Sequence, residues 1–376
     1  MKIAIIGSIY PFRGGVAQYT TLLARELAKR NRILMISFKR QYPDFLFPGR
    51  SNFEPGGLPL EDLHAEYIID SLNPLTWESA VRRIKKFQPD MVLFQWWVVF
   101  WAPQFGYMAA RLKKGRTAPE IVFLCHNVLE HESNQLRRNI TRCVFSLADR
   151  FVTHCREETQ RLETILTRQI PIVTAFHPTF RDFFLNAPSK NHAKKRLGLN
   201  GDVLLFFGFV RKYKGLDILL KAMSYIVEVK DVHLLVVGEF WEDRNKYLSQ
   251  LERLDLKEYV TLIDSYVSNE EAGLYFAAAD LVVQPYLCAS GSGVVQLAYG
   301  FDRPVIATCV GSLPEVIEDR TNGRIVAPND PRSLADAIIE SLDPKILEKL
   351  SRNCKQTKEK FSWAEMARLV TGEDME

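Results

Sequence analysis

The residues best suited to chemistry lie in two glycine-containing segments of the second half of this chain. One spans 285–315, PYLCASGSGVVQLAYGFDRPVIATCVGSLPE, where Gly291-Ser292-Gly293 opens a helical run. A loop without acids or bulky side chains brings backbone N–H groups to a helix start, where unpaired donors and the positive end of the helix dipole attract phosphate. Gly/Ser turns before helices are common, so this loop alone says little. The other segment, 206–215, reads FFGFVRKYKG and sets Arg211 and Lys214 beside a second glycine turn. Cations and oriented N–H groups together suit a diphosphate leaving group, whose oxygens gather negative charge as a bond breaks. The ordinary alternative for Arg211 and Lys214 is a solvated basic turn.

Both segments need a scaffold that ends several strands at one edge. Strand–helix alternation supplies it. Lys2–Ile6 is a near-continuous apolar run fit for a buried parallel strand, and 16–30 carries apolar residues at helical spacing. Further strands are predicted at 33–37, 91–95, 121–126 and 150–154, with helices at 76–87 and 102–113. At 176–195, prolines and polar residues without a clear period predict an interdomain linker. The alternation then restarts, with strands at 203–207, 233–237, 260–262, 281–283 and 304–308 and helices at 216–227, 247–254, 270–278 and 333–342. The expected domains are 1–180 and 190–361, with a C-terminal helix over 362–376 packing back onto the first.

Composition agrees with two soluble α/β domains. The 376 residues exceed what one core usually supports, and 47% hydrophobic with 25% charged residues is ordinary for globular proteins. A net charge of +4 is too small to argue for nucleic acid. The six cysteines are widely spaced without a Cys-x-x-Cys pair, which predicts neither a zinc site nor a disulfide framework and fits a reducing compartment. The opening MKIAIIGS reads as a strand rather than a signal peptide, and no apolar run approaches the ~20 residues of a membrane span. A cytoplasmic location is expected, with any membrane met from its surface.

The segments FFGFVRKYKGLDILLKA, LLVVGEFW, AADLVVQPY, SGVVQLAYGFDRPVIATCVGSLPEVI and TNGRIVAPNDP follow one another in an order that resembles glycosyltransferase family 4, retaining enzymes of the GT-B fold. The early GGVAQYTTLLARELAKR is similar to that family's acceptor-domain entrance. The resemblance spans almost the whole chain. It implies an α/β, GT-B architecture of two Rossmann-like, doubly wound domains facing across a cleft that closes on its substrates. It also implies a nucleotide-diphosphate sugar as co-substrate, with no further cofactor, and a saccharide or lipid-linked saccharide as acceptor.

Carried over residue by residue, Lys214 matches the family's lysine. The arginine expected five residues before it is Phe209 here, with Arg211 as the displaced substitute. The positions of the family's Glu-x7-Glu pair hold Ala289 and Leu297, flanked by Ser290 and Gln296. Contact with the sugar and ribose must therefore come from other groups. Gln296 stands under two readings, a hydrogen-bond partner for a hydroxyl or a helix residue facing solvent. Ser290, Gly291, Ser292 and Gly293 form the expected phosphate loop, with Gly208 beside it. Glu239 follows the strand LLVVG and reaches the nucleotide or is an exposed loop acid. Glu315 reads as a helix-start residue. In the first half, His126 ends a strand ahead of Asn127, Glu130 and Glu132, and the resemblance places it near the reacting carbon; a purely structural histidine is the alternative. Gly14 and Gly15 allow close backbone approach to phosphate or acceptor, or simply a tight turn.

No Asp-x-Asp pair and no His/Cys cluster with ligand spacing occurs, so no metal is expected. Without the first family glutamate a carboxylate nucleophile is disfavoured, and front-side transfer is preferred, the diphosphate taking the acceptor's proton. Arg137, Arg138, Arg142, Arg150, Arg156, Arg161 and Arg168, with the aromatic run 96–101, suggest a surface for an anionic membrane or lipid diphosphate. Solvated arginines and a core aromatic run are the alternative. Two rival functions remain, a UDP-N-acetylglucosamine 2-epimerase-like isomerase and an inactive sugar-nucleotide-binding subunit.

Overall fold

The computed structural model describes residues 1–43, 53, 62–115, 117–129, 134–179, 187–289 and 292–373. The chain divides into two compact units, Met1–Phe176 with Trp363–Glu376, and His177–Ser362.

In the first unit the described strands are β1 (Lys2–Ile6), β2 (Arg32–Arg40), β3 (Ala65–Asp70), β4 (Met91–Trp96), β5 (Glu120–Cys125), β6 (Arg150–Thr153) and β7 (Ile172–Thr174). They form one parallel sheet in the order β3-β2-β1-β4-β5-β6-β7. Buried residues on both faces explain why β1, β4, β5 and β6 read as apolar runs rather than alternations. Ile6, Phe94 and Phe123 meet side chains of the flanking helices, such as Phe105 and Phe145, in one core. The helix Pro74–Phe87 starts where Asn73 accepts from Leu75 N–H and proline occupies the first turn.

The second unit repeats the plan with β8 (Asp202–Phe207), β9 (Val232–Val237), β10 (Val260–Ile263), β11 (Leu281–Gln284), β12 (Val305–Thr308) and β13 (Gly323–Val326), in the order β10-β9-β8-β11-β12-β13. Its own core joins Leu204, Phe206, Leu219, Val236 and Ile306. In each sheet the order reverses beside the first strand, between β1 and β4 and between β8 and β11. Chains leave such neighbours toward opposite faces and open a crevice at their carboxyl ends.

One expectation needs correction. The stretch 176–195 is not an aperiodic linker throughout, because the helix Lys190–Arg196 begins inside it. That helix buries only Ala193, so it shows no apolar period; Lys190 and Lys194 fasten it to Asp280. In the arginine-rich stretch, several side chains are engaged within the unit, while Arg137, Arg156 and Arg168 are exposed. Arg138 donates to Thr164 O, Arg142 to Ile165 O, Arg168 to Ala148 O, and Arg161 to Glu157 and Glu158. Trp96 and Trp101 lie in the core. No described helix is long and apolar enough to cross a membrane.

Candidate active site

In the second unit the loops leaving β8, β9 and β11 converge at the β8/β11 crevice. Gly208 ends β8 at φ 99°, and its N–H donates to Val237 O at 2.9 Å. Beside it Gly238 adopts φ 149°, and any side chain there would run into Gly208 O. This close crossing carries the pairing one step further. Val210 pairs with Phe240 through Val210 N–H to Glu239 O at 2.9 Å and Trp241 N–H to Val210 O at 3.0 Å. Val210 and Phe240 turn to the core, so strand alternation turns Phe209, Arg211, Glu239 and Trp241 to the opposite face. There Phe209 stacks on Trp241 at 4.3 Å between ring centroids, and the Arg211 guanidinium lies 4.5 Å from the same indole.

Lys214 comes from the single turn Lys212–Lys214, which Gly215 closes at φ 68°. A side chain at 215 would collide with Pro285 O, so glycine is required on both counts. Leu287 N–H donates to Tyr213 O at 2.7 Å and ties this turn to the loop after β11. Lys214 is only 8% exposed, with its ammonium 5.6 Å from the centre of the Tyr286 ring. No described residue gives it a carboxylate or a hydrogen bond. Burial, with Arg211 adding repulsion, lowers its pKa. A buried ammonium without an anion is an unfavourable arrangement unless an anion arrives.

The place it faces is lined for an anion. A Cβ added to Gly208 would stand 2.9 Å from Lys214 Nζ and 4.0 Å from Val294 Cγ2, so glycine, lysine and the start of the helix Gly293–Gly300 adjoin. Ser292 caps that helix, its Oγ accepting from Val294 N–H at 3.3 Å. Tyr286 contacts Ser292, and burial pushes its phenol up to about 12, so it stays neutral. Gln296 is 1% exposed, which rules out the solvent-facing reading, and its Oε1 has no hydrogen-bond partner among the described residues. Ala289 and Leu297 are buried apolar residues. Glu239 is buried at the same edge and is not an exposed loop acid. Ser290 and Gly291 lie outside the described residues, as do Glu130 and Glu132. Glu315 sits exposed in the first turn of the short helix Leu313–Val316.

The first unit builds a separate polar cluster. His126 follows β5, its N–H donating to Trp96 O at 2.8 Å. Its Nε2 lies 2.9 Å from Gln95 Oε1. An amide oxygen only accepts, so this contact is a hydrogen bond in the tautomer that carries the proton on Nε2. The ring meets Tyr19 edge-on at 4.7 Å and His154 at 5.2 Å, while Trp363 packs on Tyr19 at 5.0 Å. Gly7 leaves room for Gln95, whose side-chain carbons would lie 2.7 Å from a Cβ there. Gly14, at φ 102°, precedes the helix Gly15–Ala28, and open space faces both Gly14 and Gly15.

The structure thus brings Gly208, Lys214, Ser292 and Gly293 together, adds Arg211 and Glu239 on the adjoining face, and keeps Gln296 inside the helix. His126, Gly14 and Gly15 belong to the other unit. Sequence reasoning missed Gln95, Tyr19, Trp241 and Tyr286. Trp241 and Tyr286 stand just past strand ends, a position that marks crevice residues, and Gln95 is the one polar residue in the buried run MVLFQW of β4, a signal that could have marked it.

Residues 201–343 match the family model described as glycosyl transferases group 1, and residues 13–173 the model described as glycosyltransferase family 4. A D-inositol 3-phosphate glycosyltransferase of Saccharomonospora viridis is 25% identical over 384 residues, covering 93% of this chain and 86% of that protein. One from Catenulispora acidiphila is 29% identical over 235 residues, covering 59% of this chain and 56% of that protein, little more than half its length. Among solved structures, Anabaena HepE in complex with UDP-glucose has a TM-score of 0.75 at 18% identity, with 100% of both chains covered. Sucrose-phosphate synthase from Thermosynechococcus elongatus has a TM-score of 0.74 at 19% identity, covering 100% of this chain and 98% of that one. These likenesses show the fold, GT-B.

Proposed function

This chain belongs to glycosyltransferase family 4, and on that footing we propose that it moves a sugar from a nucleotide-diphosphate donor to a hydroxyl of a saccharide or lipid-linked saccharide, with retention of configuration. The observation that carries the donor half is Lys214, a buried cation beside Gly208 and a capped helix start, with no anionic partner among the described residues. Arg211, the N–H groups at Ser292–Gly293 and Lys214 meet the diphosphate, whose charge grows as the glycosidic bond breaks, so they favour the transition state over the ground state. Gln296 Oε1 accepts from a donor hydroxyl, in place of a carboxylate. These groups neutralise the leaving diphosphate without a metal. HepE, of the same fold, is a complex with UDP-glucose, which supports a sugar nucleotide here.

In the first unit His126, whose Nε2 lies 2.9 Å from Gln95 Oε1, is the residue we propose for a hydrogen bond to the transferred sugar. The acceptor hydroxyl attacks from the face the diphosphate leaves, and a diphosphate oxygen takes its proton. Ala289 and Leu297 favour a second reading, an inactive sugar-nucleotide-binding subunit, because they put apolar groups where the family resemblance expects acids.

A thermal-shift and calorimetric panel of UDP, GDP, ADP and their sugar conjugates tests the donor site, since a ligand of the folded state raises its apparent stability. One nucleoside diphosphate is expected to raise Tm in the wild type and not in Lys214→Ala. No response to any nucleotide would overturn the reading. Binding without transfer to a broad acceptor panel would favour the binding subunit, and isomer formation from donor alone would favour an epimerase.

A further inference from the structure

The loop after β9 carries a residue with no part in the transfer just described. Trp241 shares its face with Phe209 and Arg211 because the Val210–Phe240 pairing extends β8 and β9 beyond their last regular residues. Phe209 lies against the indole at 4.3 Å, and the Arg211 guanidinium lies 4.5 Å from its centre. Among the described residues Arg211 has no ion pair or hydrogen bond through its side chain, unlike Arg150, Arg161 and Arg324, each of which meets an acid. A carboxylate partner would neutralise the guanidinium and occupy its donors. A ring face attracts it through the aromatic quadrupole and leaves both charge and donors for an incoming anion. The Arg211 carbonyl accepts from Lys214 N–H at 2.9 Å, and the charge of Arg211 is felt at the Lys214 ammonium.

We propose that Trp241 is a positioning residue: its indole, braced by Phe209, holds the Arg211 guanidinium so that it and Lys214 together engage the donor's diphosphate. This inference rests on the donor reading above. It gives Phe209 a purpose as part of the ring stack that steadies an arginine two positions later.

The test measures, by calorimetry on the full chain, binding of whichever of UDP, GDP and ADP raises Tm, together with its monophosphate. The diphosphate is expected to bind more tightly than the monophosphate in the wild type. Trp241→Leu, which keeps apolar bulk but no ring, should cut that preference roughly tenfold. Trp241→Phe, which keeps a ring, should retain most of it. Trp241→Leu combined with Arg211→Ala should lose no more preference than Arg211→Ala alone, because the two act as one unit. Additive losses, or equal weakening of diphosphate and monophosphate in Trp241→Leu, would overturn the proposal, the latter pointing to a stacking role at the base. Failure of Trp241→Phe to retain the preference would overturn it too. A wild type that binds none of the three diphosphates would sink the donor reading and this inference with it.

Discussion

At the residue scale, the proposed chemistry turns on a cation whose burial is unfavourable. Burial lowers the Lys214 pKa, so the charged form is the one the fold disfavours. That burden is absent above the unfolded-state pKa of about 10.4 and grows as pH falls toward the lowered folded-state value. Lys214→Met is therefore expected to raise Tm of the unliganded protein at pH 7, with the gain shrinking as pH approaches the unfolded pKa; scanning calorimetry across pH checks it. The same shift has an opposite consequence for ligand. If diphosphate binds the Lys214 ammonium as proposed, calorimetric affinity should decline with rising pH through the lowered Lys214 pKa, and this decline should vanish in Lys214→Met. A site that trades stability for function in this way is a common form of active-site design.

At the element scale, positions rather than side-chain chemistry decide the outcome. Gly215 closes the lysine turn with positive φ and no space beneath Pro285 O. Gly215→Ala is expected to lower stability by about 3 kcal/mol or more, because strain and a backbone clash act together, and urea titration measures it. In the other unit, the C-terminal helix Trp363–Thr371 is fastened by Arg150, which donates to Val370 O at 2.7 Å and to Glu120 at 2.9 Å. Arg150 is 5% exposed, so its removal strands buried acceptors. Arg150→Ala should cost about 2–3 kcal/mol, with amide exchange accelerating first over 363–371.

At the scale of the whole molecule, two sheets with separate cores divide the work. The residues proposed to hold the diphosphate all lie within His177–Ser362, whereas His126, Gln95 and Tyr19 belong to the other unit. Nucleoside diphosphate should therefore slow amide exchange chiefly at 208–216, 238–241 and 292–297; protection confined to the first unit would contradict the assignment. Much of this organisation was legible beforehand. Parallel strands buried on both faces write themselves as apolar runs, so β1, β4, β8 and β9 stood out, and strand ends marked Gly208 and Glu239. Short or marginal elements were not legible: Ile172–Thr174 and Gly323–Val326 have too few residues to show a period, and Lys190–Arg196 buries a single alanine. Lys214 and the Ser292–Gly293 loop could be chosen from residue type and order, because cations and glycines are visible as such. Their convergence on Gly208, the absence of an anion beside Lys214 among the described residues and the burial of Gln296 could not. Those properties belong to side chains brought together from strands far apart in the chain, and only the folded sheet sets which of them meet and which are left without a partner.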